Sequence, residues 1–402
     1  MGLTEELREA YIRFLERRPG TELTAPSQEA GSGVACISWI RMLSRGDNYL
    51  LGVDRELKEN LSFEVPIFLP GKRTLPASEC LVLGHGFNES DYVKLFPWAY
   101  CLCRELAVPV MIFPCAFHIN RRPGSWARLG RDLHHRRKRL AGNRASSPFN
   151  AVVSQRISEA PERFLRGALQ SYQDLVDLLE RIREGTLEVM GMEGPSVPFA
   201  QGATPHFLGY SISGYLFLGA LLMDEQKRLK ESNLVLFNSF SAWDDANPVS
   251  VLVVDQEAYD RGTRFYLGDY LSEASEGFRT LYEETQEGIL FRRLFLRGAG
   301  GPPLREAVAR LREQLLIIAD PHDPIFPGRA IGEHLGQEIP TVLLNLGRHE
   351  FPFNLPRTDA TGFLQLGRAI RGCWAPAPAY QNAFSHWLSL VERFLQPCLE
   401  SL

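Results

Sequence analysis

Apolar residues in this chain gather into short, nearly unbroken runs. Six stand out: "ECLVLGHG" (79–86), "VPVMIFPCAF" (108–117), "HFLGYS" (206–211), "NLVLFNS" (233–239), "QLLIIADP" (314–321) and "TVLLNLG" (341–347). A strand with one wet face alternates apolar and polar residues. A run without alternation belongs to a strand covered on both faces, as in a parallel sheet flanked by helices. Segments of helical period lie between the runs. "SDYVKLFPWAYCLCRELA" (90–107) follows the first, with Pro97 predicted to kink or restart it. "GYLFLGALLMDEQKRLK" (214–230) follows the third, and "LREAVARLREQ" (304–314) precedes the fifth. The alternation predicts an α/β fold with a mostly parallel, doubly wound sheet.

Two stretches interrupt it. Residues 118–200 hold a basic stretch and then a helix, "PERFLRGALQSYQDLVDLLERIREG" (161–185). Residues 240–303 read as mostly helical and close on the turn-rich "RGAGGPP". Insertions of this kind extend the loops where ligands are handled, so both are expected to form a helical cap. The main domain is expected to cover 79–402. Residues 1–78 should add an N-terminal helix, "MGLTEELREAYIRFLERR", and antiparallel strands such as "NYLLGV" (48–53) and "FEVPIFL" (63–69).

Composition narrows the function classes. The 402 residues are 45% hydrophobic and 23% charged, with a net charge of −4. That balance suits a water-soluble globular chain and gives no bulk electrostatic reason to bind nucleic acid or an acidic membrane. The N-terminal stretch has no apolar signal region, and no run is long enough to span a bilayer, so a cytoplasmic location is expected. Seven cysteines, an odd number without C-x-x-C spacing, read as buried thiols in a reducing compartment.

The chemistry gathers around "HFLGYSISGYLFLGALLM" (206–223). A strand ending at Ser211 and a helix starting near Gly214 give the strand–turn–helix setting of a nucleophilic serine. Ser213 stands where the G-x-S-x-G pattern has glycine. Upstream, "LVLGHGFNES" places His85 and Gly86 at a strand end, where a turn can aim the Phe87 N–H at an oxyanion beside the Ile212 N–H. Downstream, "LLIIADPHDPIFP" ends a strand with Asp320 and Asp323, and "TVLLNLGRHEFP" ends the next with His349. Serine is a weak nucleophile until a base takes its proton, and a histidine oriented by a carboxylate supplies that base near neutral pH. Each group sits past the C-terminal end of a strand, where α/β sheets build their sites. The pattern needs no cofactor and no metal.

These motifs, "LGHGF", "GYSISG", "ADPHDPIFP" and "GRH", resemble the α/β-hydrolase superfamily over roughly residues 79–402. The resemblance implies an α/β-hydrolase fold in which Ser211 attacks a carbonyl, His349 takes its proton and the acid orients the histidine. The "DPIFP" run resembles the family's acid loop and singles out Asp323 over Asp320. "HGFNES" and "FPCAFHINRRPGSWA" also resemble a poorly characterised bacterial branch of the superfamily, a likeness that carries no substrate. The expected activity is a serine hydrolase cleaving a carboxylic ester through an acyl-enzyme, with a small-molecule acyl substrate as partner. A peptidase, thioesterase, acyltransferase or non-catalytic binding protein on the same fold is the alternative.

His85, Tyr210, His118 and Asn120 are candidate pocket residues, with Arg121 beside them. Residues 121–144 carry nine Lys or Arg against the single acid Asp132 and are expected to be a solvated loop. Trp243, Tyr259, Phe265, Tyr266 and Tyr270 are expected to form the core of the cap, with an acyl-pocket floor as the sharper alternative.

Overall fold

The computed structural model describes residues 34–71, 75–190, 197–269, 274–346, 349–350, 352–353 and 381–399, together with Ala10, Tyr11, Phe14 and Ser272. Eight strands form one sheet: β1 (Val34–Leu43), β2 (Ser62–Pro70), β3 (Ala77–Leu83), β4 (Val110–Ile112), β5 (Phe199–Tyr210), β6 (Leu234–Phe237), β7 (Leu315–Ala319) and β8 (Thr341–Leu343). Their order is β1-β2-β4-β3-β5-β6-β7-β8. Only the β1–β2 and β2–β4 pairs are antiparallel, and β4 through β8 run parallel. This sheet, with helices on both faces, is the α/β-hydrolase fold.

Burial explains the unbroken apolar runs. On β3, Leu81 and Leu83 point to one face and Cys80 and Val82 to the other, and all four are fully buried. The first face is covered by helix α1 (Leu95–Leu106) and the C-terminal helix, here α11 (Gln381–Leu399), through Trp98, Trp387 and Val391. Opposite lie α4 (Glu162–Glu184) and α5 (Ser213–Leu222), which bury Leu175, Leu178, Phe217 and Leu218. The same layer includes α9 (Arg297–Ala309) and α10 (Gly328–Leu335), through Leu304 and Ile331. The remaining longer helices are α2 (Trp126–Arg137), α3 (Ala151–Glu159), α6 (Gln256–Arg264), α7 (Glu276–Glu284) and α8 (Gln286–Phe295), of which α8 packs Leu294 into the core beside α5. No helix among the described residues is long and apolar enough to cross a membrane.

Several elements differ from the sequence reading. "NYLLGV" is not a strand: it lies in two 3₁₀ turns, Asp47–Tyr49 and Gly52–Glu56, and the partner of β2 is Val34–Leu43. Asp47, Asn48 and Gly52 interrupt that run with turn residues, while β1 carries β-branched and aromatic residues. Pro97 neither kinks nor restarts a helix, because α1 begins at Leu95 and puts the proline in its first turn, where an N–H has no intrahelical partner. "RGAGGPP" is absorbed into α9, which breaks at Gly301 (φ 46°, ψ −147°) before Pro302 and Pro303 restart it.

The basic stretch is solvated at Arg128, Arg131, Arg136, Lys138, Arg139 and Arg144, as expected, but it is not a free loop. Half of it is α2, and its residue Arg137 is 2% exposed. The Arg137 guanidinium donates two 2.6 Å bonds to Asp255, one to Glu257 at 2.6 Å, and others to Gln155 and Ser158. Two acids more than a hundred residues away, invisible to a local charge count, fold this stretch onto the protein. Within 118–200, α4 packs its apolar face on the sheet as the crossover into β5. Of the N-terminal segment, Ala10, Tyr11 and Phe14 are helical and buried against Trp39 and Phe96.

Candidate active site

Strand β5 ends at Tyr210 and α5 begins at Ser213, so the chain must reverse within two residues. Ser211 does this with φ 56°, a left-handed conformation that costs a non-glycine residue about 1–2 kcal/mol. The surroundings hold it there: the Ser211 N–H donates to Phe237 O at 3.1 Å, and Ser239 Oγ donates to Ser211 O. Strand and helix lie so close that a Cβ on Gly209 would stand 2.6 Å from Gly214 Cα. Ser213 occupies the position where the pattern has glycine, and its Oγ donates to Tyr210 O at 2.8 Å. Its side chain fits because the neighbouring strand end carries glycine: a Cβ on Gly84 would fall 2.3 Å from Ser213 Cβ.

Ser211 Oγ donates to His349 Nε2 at 2.8 Å, and His349 Nδ1 donates to Asp323 Oδ2 at 2.6 Å. The proton positions follow from chemistry: a carboxylate only accepts, so Nδ1 carries hydrogen and Nε2 offers its lone pair. The other oxygen, Asp323 Oδ1, accepts from the Ile325 and Phe326 N–H groups at 2.8 and 3.0 Å. All three side chains are buried. Asp320 stays out of this line. Its oxygens accept from the His322 and Leu346 N–H groups, which ties the β7 loop to the segment after β8. Asp245, another carboxylate in range by sequence, pairs with Arg297.

A second network holds the histidine from behind. The Tyr210 hydroxyl donates to His349 O, and its ring stacks on the imidazole at 5.6 Å between centroids. Lys94 Nζ donates to Tyr210 Oη at 3.2 Å and to Glu350 O at 2.8 Å, and pairs with Glu89. Burial pushes the Tyr210 phenol well above its ordinary pKa, with the charges of Glu89 and Glu350 adding to the shift, so it stays a donor. Burial also raises the Glu89 carboxyl, against the pull of Lys94. Sequence reading missed Glu89 and Lys94; the available signal was two charges just ahead of the apolar start of α1.

The backbone N–H groups of Phe87 and Ile212 have no acceptor among the described residues. Both residues line the wall between two cavities. The smaller, of ≈ 50 Å³, is lined by Ser211 and His349 together with Glu89, Lys94, Trp243 and Phe326. The larger, of ≈ 150 Å³, is lined mainly by apolar side chains of α4, α5 and α8, with Arg156, Arg163 and Glu287 among them. Phe87 and Phe164, edge to face at 5.6 Å, belong to both linings.

The other candidate pocket residues separate. Tyr210 lines the smaller cavity and His118 the larger. His85 lines neither: it is fully buried, its Nε2 accepts from Cys115 N at 2.8 Å, and its Nδ1 donates to Gly86 O at 2.8 Å. Burial depresses its pKa to about 4, so it is a neutral brace for the turn after β3. Asn120 is turned toward the sheet edge, donating to Glu64 O at 2.7 Å, and lines neither cavity. Arg121 is fully buried against Asp174 at 2.7 Å. Trp243 lines the smaller cavity, Phe265 and Tyr266 pack with Phe278, Tyr259 stacks near Trp243, and Tyr270 lies outside the described residues. Among the described residues no group of three His, Cys, Asp or Glu is placed to hold a metal ion.

Comparison with solved structures gives likenesses of low identity. Carboxyl esterase 2 from the mycorrhizal fungus Tuber melanosporum is 11% identical, with 97% of this chain and 98% of that one covered and a TM-score of 0.42. Brefeldin A esterase, a bacterial homologue of human hormone sensitive lipase, is 12% identical over 98% and 85%, with a TM-score of 0.42. Esterase Est22 is 12% identical over 100% and 93%, with a TM-score of 0.45. No curated protein matches the chain by sequence. Residues 43–298 match one described family, and the chain belongs to it: the family of unknown function DUF6051.

Proposed function

We propose that the protein is a serine hydrolase that cleaves a carboxylic ester through an acyl-enzyme. The observation that carries this reading is the hydrogen-bonded line from Ser211 Oγ through His349 to Asp323, with Ser211 held at a strained strand-to-helix turn. In the proposed reaction Ser211 Oγ attacks the acyl carbon while His349 Nε2 takes its proton. Asp323 keeps the imidazole in the Nδ1–H form and stabilises the imidazolium that forms. The Phe87 and Ile212 N–H groups receive the negative charge growing on the carbonyl oxygen, where a donor placed beforehand lowers the barrier most. His349 then returns the proton to the departing alcohol, and water repeats the sequence to release the acid. The helices of 118–159 and 240–296 roof the site as its cap, and a small-molecule acyl compound is the substrate.

The test is direct. Wild-type protein should react with a fluorophosphonate at Ser211 and hydrolyse activated short-chain esters, and Ser211→Ala should do neither. Labelling that persists in Ser211→Ala would move the nucleophile elsewhere, and no labelling of the folded wild type would favour a binding protein on this fold.

A further inference from the structure

On the reading that Ser211 attacks an acyl carbonyl, we infer that the two cavities divide the substrate: an apolar acyl group of about six carbons, or one aromatic ring, fills the larger, and a small alcohol leaves from the smaller. Proton flow decides which side is which. When the tetrahedral intermediate collapses, the alcohol C–O bond breaks and its oxygen takes the proton that His349 Nε2 received from Ser211. The leaving oxygen therefore lies on the His349 side. His349 lines the smaller cavity and not the larger. The Phe87 and Ile212 N–H groups, on the shared wall, fix the carbonyl oxygen between the cavities. The acyl chain then has one direction left, past the Phe87–Phe164 pair into the larger space.

Size agrees with that division. A dry, apolar-lined cavity of about 150 Å³ takes up one benzene molecule, which sets the scale for the ≈ 150 Å³ cavity here. Its wall is supplied by Leu216, Leu290, Phe291 and Leu294. Of its three charged lining residues, Arg156 is engaged by Asp54 at 2.7 and 3.0 Å and lies over the Phe117 ring at 4.4 Å, Arg163 pairs with Asp54 and Glu159, and Glu287 stands in the first turn of α8. The smaller cavity, ≈ 50 Å³, is also lined mainly by apolar side chains, with the paired Glu89 and Lys94 and with Glu350 in its wall, and its size leaves room for a short alcohol rather than a second chain.

Two ester series measure this. In the first, ethyl esters with acyl chains from two to ten carbons should show kcat/KM rising about fourfold per methylene up to six carbons, about 250-fold in all, then falling. In the second, hexanoyl esters of longer alcohols should lose activity as the alcohol grows. Filling the larger cavity with Ala168→Phe should cut the hexanoyl-to-acetyl ratio at least tenfold. Gly219→Leu, where an added Cβ would stand 3.7 Å from Leu294, should do the same and guards against misfolding of the first variant. Activity that is flat or falls with acyl length, or that rises with alcohol length, overturns the division. Labelling rates with methyl- and hexyl-phosphonates separate the two readings. Label at Ser211 with no gain from the hexyl chain refutes only the division, whereas absence of label at Ser211 refutes the serine reading beneath it.

Discussion

Gly84→Ala should destabilise the protein strongly, and Ser213→Gly should restore part of the loss. The added Cβ would lie 2.2 Å from Ser213 Oγ, 2.3 Å from Ser213 Cβ and 2.8 Å from Phe217 Cε2. Carbon atoms pack best at about 3.5–4.0 Å, so two of these contacts are too close by over about 1 Å. Both sides of the clash are anchored, one on β3 and one at the start of α5, so neither backs away cheaply. Overpacking of this kind costs about 1–3 kcal/mol, and the anchoring argues for the upper end, about 3 kcal/mol. Ser213→Gly alone forfeits the bond to Tyr210 O, about 1 kcal/mol. Once it is made, however, only the Phe217 ring edge opposes the new methyl, at about 1 kcal/mol. The double variant should therefore be about 2 kcal/mol more stable than the sum of the singles. Ser213→Ala is the control: it keeps the Cβ that stands 2.3 Å away, so it should rescue little. Urea unfolding followed by tryptophan fluorescence gives the four-cornered cycle, and the phosphonate labelling rate of Ser211 reports the turn itself. Additivity within about 0.5 kcal/mol would show that Gly84 and Ser213 do not share this space.

Three further outcomes follow from the geometry. Ser211→Gly should be about 1 kcal/mol more stable than Ser211→Ala in paired melts, because only glycine adopts φ 56° without strain; equal stabilities would mean that the turn relaxes. Arg137→Ala should cost about 3–5 kcal/mol by stranding the Asp255 carboxylate, while Arg136→Ala and Arg139→Ala, at exposed positions, should stay within about 0.5 kcal/mol; similar effects at all three would refute the anchored helix. His85 is neutral in the fold down to about pH 4, but its unfolded form gains a proton below about pH 6.5, so its contribution is complete above 6.5 and declines as the pH falls toward 4. Stability of His85→Gln should therefore fall less steeply than wild type across that window, and parallel slopes would assign the loss to other groups.

The parallel strands and the three polar residues at their ends could be read from the chain for one physical reason. A strand covered on both faces is marked by uninterrupted apolar residues, and the first polar group after it sits at the sheet's edge. Ser211 holds such a place, and Asp323 and His349 follow within six residues of the ends of β7 and β8. Other features depend on partners distant in sequence. Arg137 reads as surface charge until Asp255 is brought to it, and His85 reads as a pocket residue until the Cys115 N–H occupies its ring. Asn120 follows a strand end as a pocket residue would, yet its amide finds the Glu64 carbonyl. The strand Val34–Leu43 escaped notice because Ile37, Trp39 and Leu43 put apolar residues on the face opposite Ile40 and Met42 and blur its alternation, and its place at the sheet edge comes from pairing with β2.

The tie between the Tyr210 hydroxyl and the His349 carbonyl has a consequence for chain entropy. It joins positions 139 residues apart, and each is at or next to a member of the hydrogen-bonded line. A loop that carries a base on its own must be held in register by the substrate, and that ordering is subtracted from binding. Here Tyr210, at the end of the strand that leads into Ser211, also grips the loop bearing His349, so the encounter between hydroxyl and imidazole is settled when the protein folds. Well-oriented groups react as though one were present at about 10⁵–10⁸ M. A tyrosine beside the serine thus acts as a clasp that keeps the effective concentration of imidazole high before any ligand arrives.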